Sequence, residues 1–370
     1  MNRLSKHSAY MEWAKLCSAA PFNLATSGLT NTSTAEFPLP GADMEITGPG
    51  GYGFAPLQER LARHTGAPAE SVVAAAGASM ANFLAMSVAL NPGDEVIIES
   101  PAYGLFNDIA SYLGVRITEL PRPFDSGFAV DPDLLAGAIT PQTRLIVLSN
   151  LHNPSGALLP AEVLSGIGEL AQKAGVYVLV DEVYLEMMFD ASMLSAFALG
   201  QQQFPDANPF IVTNSLTKAY GLSGLRCGWV LAAAPLSHRM WRLNDLFGVN
   251  AAHVAEQMSV VAFDRLEVVR TKARQLLITN RQLLNDFLDA HPELPCYRPS
   301  FGTVAFPRLL AGSPDEFFKL LRDKYETSVV PGAFFGMPDH FRIGVGGSTE
   351  VVREGLERLG SALRDFGRPG

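Results

Sequence analysis

The chain has 370 residues, 48% of them hydrophobic and 18% charged, with a formal net charge of −9. That length and composition suit a soluble globular protein with one large and one smaller domain, and the acidic balance argues against a nucleic-acid partner, which would ask for a basic face. Cys17, Cys227 and Cys296 show no Cys-x-x-Cys spacing and the seven histidines form no HxxxH cluster, so reduced thiols, a cytoplasmic location and no metal site are expected.

Met1 to Tyr10 is polar and lacks the apolar core of a signal peptide. Asn2 to Ala20 reads as a short helix with Tyr10, Trp13, Leu16 and Cys17 on one side, and Phe22 to Phe37 as a Thr/Ser-rich loop. Gly48-Pro-Gly50-Gly51-Tyr52-Gly53 is formally GxGxxG, but a dinucleotide loop needs a hydrophobic strand before it, and Ala42-Asp-Met-Glu-Ile-Thr is a poor one. A helix follows, with Pro56 near its start and Leu57 and Leu61 on one face. Val72 to Leu90 is nearly uncharged and long enough to suggest a membrane span. Gly77, Ser79, Asn82 and Ser87 interrupt it and Asn91-Pro-Gly-Asp ends it, so a buried strand, a turn and a buried helix are expected instead.

From there strands and helices alternate. Strands are expected over 72–76, 95–99, 115–120, 144–149, 176–180, 210–214 and 226–232, with helices over 79–90, 103–113, 132–138 and 162–174. Continuous apolar strands of this kind form a mostly parallel sheet covered by helices on both faces, an α/β fold whose ligands bind beyond the strands' carboxyl ends. The character changes near Pro235, with helical stretches over 236–247 and 252–290. Short elements follow over 301–306, 314–325, 341–344 and 350–365. The expected division is a large domain over 45–275 and a smaller α+β domain built from 1–44 and 276–370.

Several residues are placed to carry chemistry. Lys218 lies in Ser215-Leu-Thr-Lys218-Ala-Tyr-Gly-Leu-Ser-Gly-Leu-Arg226, with no acidic residue between Asn214 and Trp229. A lysine free of a local carboxylate can form an imine with a carbonyl, and Arg226 with the hydroxyls suits a phosphate. The alternative is a solvated lysine on a Gly-rich loop. Asp181 ends an apolar strand, where an acid is costly unless paired; it either holds a protonated ring nitrogen or caps the next turn. Tyr184 follows three residues later. Gly77-Ala78-Ser79 opens a helix whose N–H groups favour an anion, or is an ordinary turn. Tyr103, in Pro101-Ala-Tyr103, is either a stacking ring or a core aromatic. Asn153-Pro-Ser-Gly156 is a good turn in which Asn153 could offer its amide, while His152 reads as a satisfied neighbour. Arg342, inside Phe341-Arg-Ile-Gly344, calls for a carboxylate, either a ligand's or an internal one.

The ordered set (a Gly-Ala-Ser loop, Pro-x-Tyr, Asn-Pro-Ser-Gly, Asp-x-x-Tyr, Ser-x-x-Lys with a downstream Arg, then Phe-Arg-Ile-Gly) resembles the class I/II aminotransferase family, the fold-type I enzymes that use pyridoxal 5′-phosphate. The resemblance runs from about Thr47 to Gly347. It implies that Lys218 holds the cofactor as a Schiff base and shuttles the proton, and that Asp181 pairs with the pyridine nitrogen. It implies that Tyr184 and Asn153 bind the ring's phenolic oxygen, that Tyr103 stacks, and that Ala78, Ser79, Ser215 and Arg226 hold the phosphate. Tyr52 resembles the tyrosine that reaches the phosphate of a neighbouring subunit, which implies a homodimer with a shared site. Arg342, with Asn153, matches the clamp on the substrate α-carboxylate. The reaction implied moves an amino group between an α-amino acid and a 2-oxo acid.

One segment departs from the family pattern. Where a Gly-x-Pro motif is usual the chain reads Ala25-Thr-Ser-Gly28-Leu-Thr-Asn31-Thr-Ser-Thr, so Gly28 could still serve the carboxylate while the polar set could line an unusual substrate pocket. A lyase, cyclase or dehydratase of specialised amino-acid metabolism on the same fold is therefore the alternative. An aminotransferase-like effector domain would bring a DNA-binding domain, for which the roughly forty residues before the motifs are too few. A nicotinamide dehydrogenase lacks its strand before Gly48.

Overall fold

The computed structural model describes residues 6–30, 32–33, 44–189, 193–310 and 312–367. In chain order the elements are α1 (Ala9–Leu16), β1 (Phe22–Asn23), α2 (Ala55–Thr65), β2 (Val72–Ala76), α3 (Ala78–Ala89), β3 (Glu95–Ser100), α4 (Leu105–Leu113), β4 (Arg116–Pro121), α5 (Pro132–Ala138), β5 (Thr143–Ser149), α6 (Ala161–Ala174), β6 (Tyr177–Asp181), α7 (Ala196–Gln203), β7 (Phe210–Ser215), α8 (Leu216–Tyr220) and β8 (Cys227–Leu231). Then follow α9 (Ala234–Asn244), α10 (His253–Phe263), α11 (Leu266–Ala290), β9 (Val304–Ala305), α12 (Pro314–Asp323), β10 (Thr327–Ser328), β11 (Val330–Pro331), β12 (Phe341–Gly344) and α13 (Thr349–Phe366).

Seven strands form one sheet in the order β2-β8-β7-β6-β5-β3-β4. All neighbours are parallel except β8, which runs antiparallel to both β2 and β7. The apolar runs are buried on both faces because alternate side chains enter different cores. Val178 and Val180 join Ile146, Leu148 and Val212 on one side, whereas Leu179 joins Val147, Ile211 and Val230 on the other. Helices α3, α4 and α9 cover the second face through Leu84, Phe106 and Met240, and α6 and α11 cover the first through Ile167 and Ala273. The uncharged 72–90 stretch is strand, turn and helix as expected, and no helix among the described residues is long and apolar enough to cross a membrane.

Some expectations need correction. The first helix occupies only Ala9–Leu16. Leu16 is 73% exposed and Cys17 is exposed, so only Tyr10 and Trp13 of the expected side are half-buried; residues 1–5 lie outside the described set. The long stretch over 252–290 is two helices. The break falls at Asp264, which pairs with Arg60 of α2 at 3.0 Å, while Leu266, Val269 and Ala273 of α11 pack into the large sheet's core. Helix α9 also packs on that sheet, so the change in character at Pro235 is not where the large core ends. Residues 44–54 hold no strand before the glycines, and the nucleotide-loop reading falls with it; Ala42 and Asp43 lie outside the described residues.

Two small sheets tie the chain's ends together. β1 pairs parallel with β10, and β12 lies between β11 and β9 with both neighbours antiparallel. Leu24 bridges them, its N–H donating to Ser328 O (2.9 Å) and its carbonyl accepting from Gly344 N (2.6 Å). The chain then runs over Phe-Arg-Ile-Gly-Val-Gly so closely that a Cβ at Gly344 would fall 2.1 Å from Thr26 O, and one at Gly346 the same distance from Gly28 O. Thr30 N–H donates to Gly346 O (3.0 Å) and Leu29 N–H to Lys218 O (3.0 Å). The C-terminal glycines thus let residues 26–30 lie between the small sheet and the lysine helix α8. Gly346→Ala is expected to cost about 1–3 kcal/mol by pushing backbone from backbone. Its urea midpoint should fall without loss of secondary structure, and an unchanged midpoint would refute the packing.

Candidate active site

A cavity of about 230 Å³ opens beyond the carboxyl ends of the central strands. Ala78, Ser79, Tyr103, Asn153, Asp181, Tyr184, Ser215, Lys218 and Arg226 all line it, so residues spread over 149 positions of the chain meet in one place. Topology does this: β6 carries Asp181 at its end, β7 ends in Ser215 and leads into α8 with Lys218, and β2 leads through Gly77 into α3.

Asp181 is 4% exposed. Its Oδ2 accepts from Asn82 Nδ2 at 2.7 Å and its Oδ1 from the Val183 N–H at 3.1 Å. Asn82 is fixed in turn, because its Oδ1 accepts from the Thr213 hydroxyl at 2.6 Å, which turns its NH₂ toward the carboxylate. Among the described residues no cation stands within ion-pair distance of Asp181. Burial, the largest influence, pushes its carboxyl from 3.8 up to about 6, against the pull of Asn82, the Val183 N–H and the charge of Lys218.

Lys218 Nζ donates to Ser27 Oγ at 3.2 Å, and Tyr184 Oη donates to the same oxygen at 2.8 Å. Ser27 is buried, and its carbonyl accepts from the Thr303 hydroxyl at 2.6 Å. Gly28 sits against the lysine stem, where a Cβ would meet Lys218 Cδ at 3.3 Å. It therefore shapes the lysine's bed, and the group of this segment that touches Arg342 is the Ala25 carbonyl. Asn31 and Thr34 of the polar set lie outside the described residues.

At the opening end of α3, Gly77 has φ +81 and its missing Cβ leaves room for the Arg226 guanidinium, which would otherwise lie 2.2 Å away. Arg226 donates to the carbonyls of Ala76 (3.0 Å) and Ser223 (3.3 Å) and has no carboxylate partner among the described residues. Ser215 caps α8, accepting from the Thr217 N–H. Three charged groups of both signs therefore face one cavity with none of them neutralised by a direct ion pair.

Arg342 is 1% exposed and also lacks an acidic partner among the described residues. Its Nη1 donates to Asn153 Oδ1 (2.8 Å), and its Nη2 to Ala25 O (3.0 Å) and to Tyr10 Oη (3.1 Å). The internal salt bridge held open by the sequence is absent among the described residues. Because Arg342 takes the Asn153 oxygen, the amide NH₂ is the end left for a ligand. Tyr103 meets Tyr10 edge to face at 5.6 Å and donates to Met11 Sδ at 3.3 Å. Tyr52 stands outside this cavity, half exposed, with its hydroxyl on Asp245 Oδ2 at 2.9 Å.

The family model described as aminotransferase class I and II matches residues 42–359. The chain belongs to the class I and II aminotransferases. Among its relatives, arginine–pyruvate transaminase AruH of Pseudomonas aeruginosa is 31% identical over 313 residues, 82% of this chain and 78% of its own. Capreomycidine synthase of Streptomyces vinaceus is 28% identical over 303 residues, 81% and 76%. A solved aminotransferase from Streptococcus suis, described as dependent on pyridoxal phosphate (PLP), superposes with a TM-score of 0.90 over 100% of both chains at 24% identity. The fold is that of the fold-type I aminotransferases, a family that depends on pyridoxal phosphate.

His152, read from the sequence as a satisfied neighbour, does not line this cavity. It is fully buried with Nδ1 on the Ser155 hydroxyl (2.6 Å) and Nε2 on Pro101 O (2.8 Å), and burial holds it neutral, well below its usual pKa. The sequence missed Asn82 and Tyr10, and it pointed to Ser27 only as one of the polar set that could line a pocket. An asparagine inside the apolar helix over 78–89 was the signal for the first; the other two lie in segments whose partners are distant in sequence.

Asp181 makes a measurable pH signature in the cofactor-free protein. The unfolded chain releases this proton near 3.8 and the folded chain near 6. Stability is therefore lost as pH rises between these values, by about 3 kcal/mol, and stays lost above them. Asp181→Asn should gain about that much stability relative to the parent between about pH 4 and 7. Urea unfolding of both proteins across that range checks it, and a difference independent of pH would contradict it.

Proposed function

We propose that this chain is a pyridoxal-phosphate-dependent aminotransferase that moves an amino group from an α-amino acid to a 2-oxo acid, with Lys218 as the catalytic lysine. The observation that carries the reading is the set of charges in one cavity that no ion pair among the described residues neutralises: a buried Asp181, a Lys218 amine on a serine hydroxyl, and Arg226 on backbone carbonyls. These fit the three ends of one ligand. Asp181 would accept from a protonated ring nitrogen, Tyr184 and the Asn153 NH₂ would donate to the phenolic oxygen, and Arg226, Ser79, Ser215 and the backbone at Ala78 would hold the phosphate. Tyr103 would cover the ring face.

When bound, pyridoxal phosphate supplies the electron sink for a bond broken at the substrate Cα. Lys218 would then act as base and acid at its Nζ, taking the Cα proton and returning it to the carbon on the far side of the substrate nitrogen. Arg342 fixes the substrate α-carboxylate, with Asn153 beside it, so that the Cα–H bond faces that amine.

The same reading divides the chain into a large domain over 45–275 and a smaller one from 1–44 with 276–370. It also makes the enzyme a homodimer. Exposed Ile46, Tyr52, Leu246, Phe247 and Val249 lie in two segments joined by the Tyr52–Asp245 hydrogen bond, an apolar surface suited to a second copy that would bring Tyr52 to the neighbour's phosphate.

A second reading keeps the cofactor and changes the reaction to a lyase, cyclase or dehydratase. The similarity to capreomycidine synthase favours it, as does Ser27, a hydroxyl on the lysine within the segment that departs from the family pattern. Arginine with pyruvate, the pair named for AruH, is the first donor and acceptor to try.

An absorption screen tests both. The holoenzyme should show a visible band that bleaches with its amino donor, releasing one equivalent of 2-oxo acid per site and no ammonia, and Lys218→Ala should lack that band. Continuous release of ammonia without an acceptor would favour the second reading, and a protein that ignores pyridoxal phosphate would sink both.

A further inference from the structure

Arg342 is buried with its hydrogen bonds incomplete. Its Nε has no partner, and only its Nη1 and Nη2 are used. A carboxylate binds a guanidinium best through two parallel N–H groups, and the Nε–Nη2 edge becomes such a fork when an incoming oxygen replaces Tyr10 Oη on Nη2, whose two N–H groups are taken by Ala25 O and Tyr10 Oη. On Nη2 that edge is shared with Tyr10 Oη, 3.1 Å away. Tyr10 accepts there, and its own O–H has no acceptor among the described residues. An oxygen held on the Nε–Nη2 edge would give that O–H one.

Tyr10 reaches this position from α1, an element with no buried residue. Its ring is held by aromatic edges: Tyr103 at 5.6 Å and Phe334 and Phe335 each at 5.8 Å. Cavities lie on more than one side of the helix, one lined by Tyr10 and Met11, a second by Ala9 and Tyr10, and a third by Trp13. Burial, the largest influence, opposes ionisation of the Tyr10 phenol, but the charges of Arg342 and Lys218 and the hydrogen bond from Arg342 together outweigh it and hold its pKa below the usual 10.0. A phenol made more acidic by its neighbours is a stronger donor to an anion.

We propose that Tyr10 is a substrate-binding residue that donates its hydroxyl to the α-carboxylate held by Arg342, so that the substrate itself seats α1 over the site. The proposal rests on the reading of Arg342 as the carboxylate clamp. It makes α1 a part of substrate recognition: amino acids draw the helix down, and amines without a carboxylate do not.

The test titrates the visible band of the holoenzyme with the bleaching amino acid and, separately, with the primary amine that lacks its carboxylate. Wild type, Tyr10→Phe and Arg342→Lys are compared. Tyr10→Phe keeps the ring among its aromatic neighbours and removes only the hydroxyl. The amino acid's half-saturation should rise about tenfold in Tyr10→Phe, the loss expected for one hydrogen bond to a charged group, while the amine's stays as in wild type. Limited proteolysis after Lys15 should be suppressed by the amino acid in wild type and less so in Tyr10→Phe. Equal changes for amino acid and amine, or no change for either, would overturn the role of Tyr10 while Arg342→Lys still erased the preference for the carboxylate. If Arg342→Lys left that preference intact, the clamp itself would fail, and the proposal with it.

Discussion

A carboxylate held without a counter-ion at the end of the central strand is the constraint on which the site depends. Burying Asp181 is unfavourable by itself, as the rise of its pKa to about 6 records. The cost is tolerated because three elements converge on it: β6 supplies the residue, the turn beyond it supplies the Val183 N–H, and α3 supplies Asn82. Thr213, on the neighbouring strand β7, orients that asparagine. The chain from β7 through α3 to β6 sets the carboxylate's direction, and β7 also delivers Lys218. The acid and the amine are thus both tied to β7, the acid through Thr213 and Asn82 and the amine through α8, and a ligand between them inherits that geometry.

The second constraint is how the chain's beginning is threaded through its end. Residues 24–30 run between the glycines of β12 and the backbone of Lys218. This path brings Ser27 to the Lys218 amine and the Ala25 carbonyl to Arg342. A second buried network lies under the lysine helix. Glu186 accepts from Asn214 at 3.1 Å, bonds Tyr220, and meets His64 at 3.1 Å. Burial, the largest influence, favours its neutral form, yet the charge and hydrogen bond of His64, the Tyr220 hydroxyl and the charge of Arg270 together outweigh it and hold its pKa below the usual value. Residues flanking Ser215 and Lys218 are therefore held from beneath, and Ser27 touches the amine from above.

Most of the sheet was readable because its strands are continuous apolar runs bounded by turns, and the alternation of Val178, Leu179 and Val180 between two cores is the physical reason. The ordered motifs likewise announced the cavity residues. What could not be read were relations with no local signature. The antiparallel direction of β8 depends on a connection that has no sequence mark of its own. The two-residue strands β1 and β10 exist only through each other. Tyr10 looked like one member of an apolar helix side, yet its hydroxyl meets a residue 332 positions away. The break at Asp264 coincides with a surface ion pair to α2, which periodicity within α11 cannot reveal.

The central claim is that Lys218 is the residue bonded to the cofactor. Borohydride reduction of the holoenzyme, followed by peptide mass spectrometry, tests it most directly. The account predicts one reduced pyridoxal-phosphate adduct per chain, on the peptide that contains Lys218 and on that side chain. An adduct on another lysine, or a protein left unlabelled after incubation with pyridoxal phosphate, would contradict it.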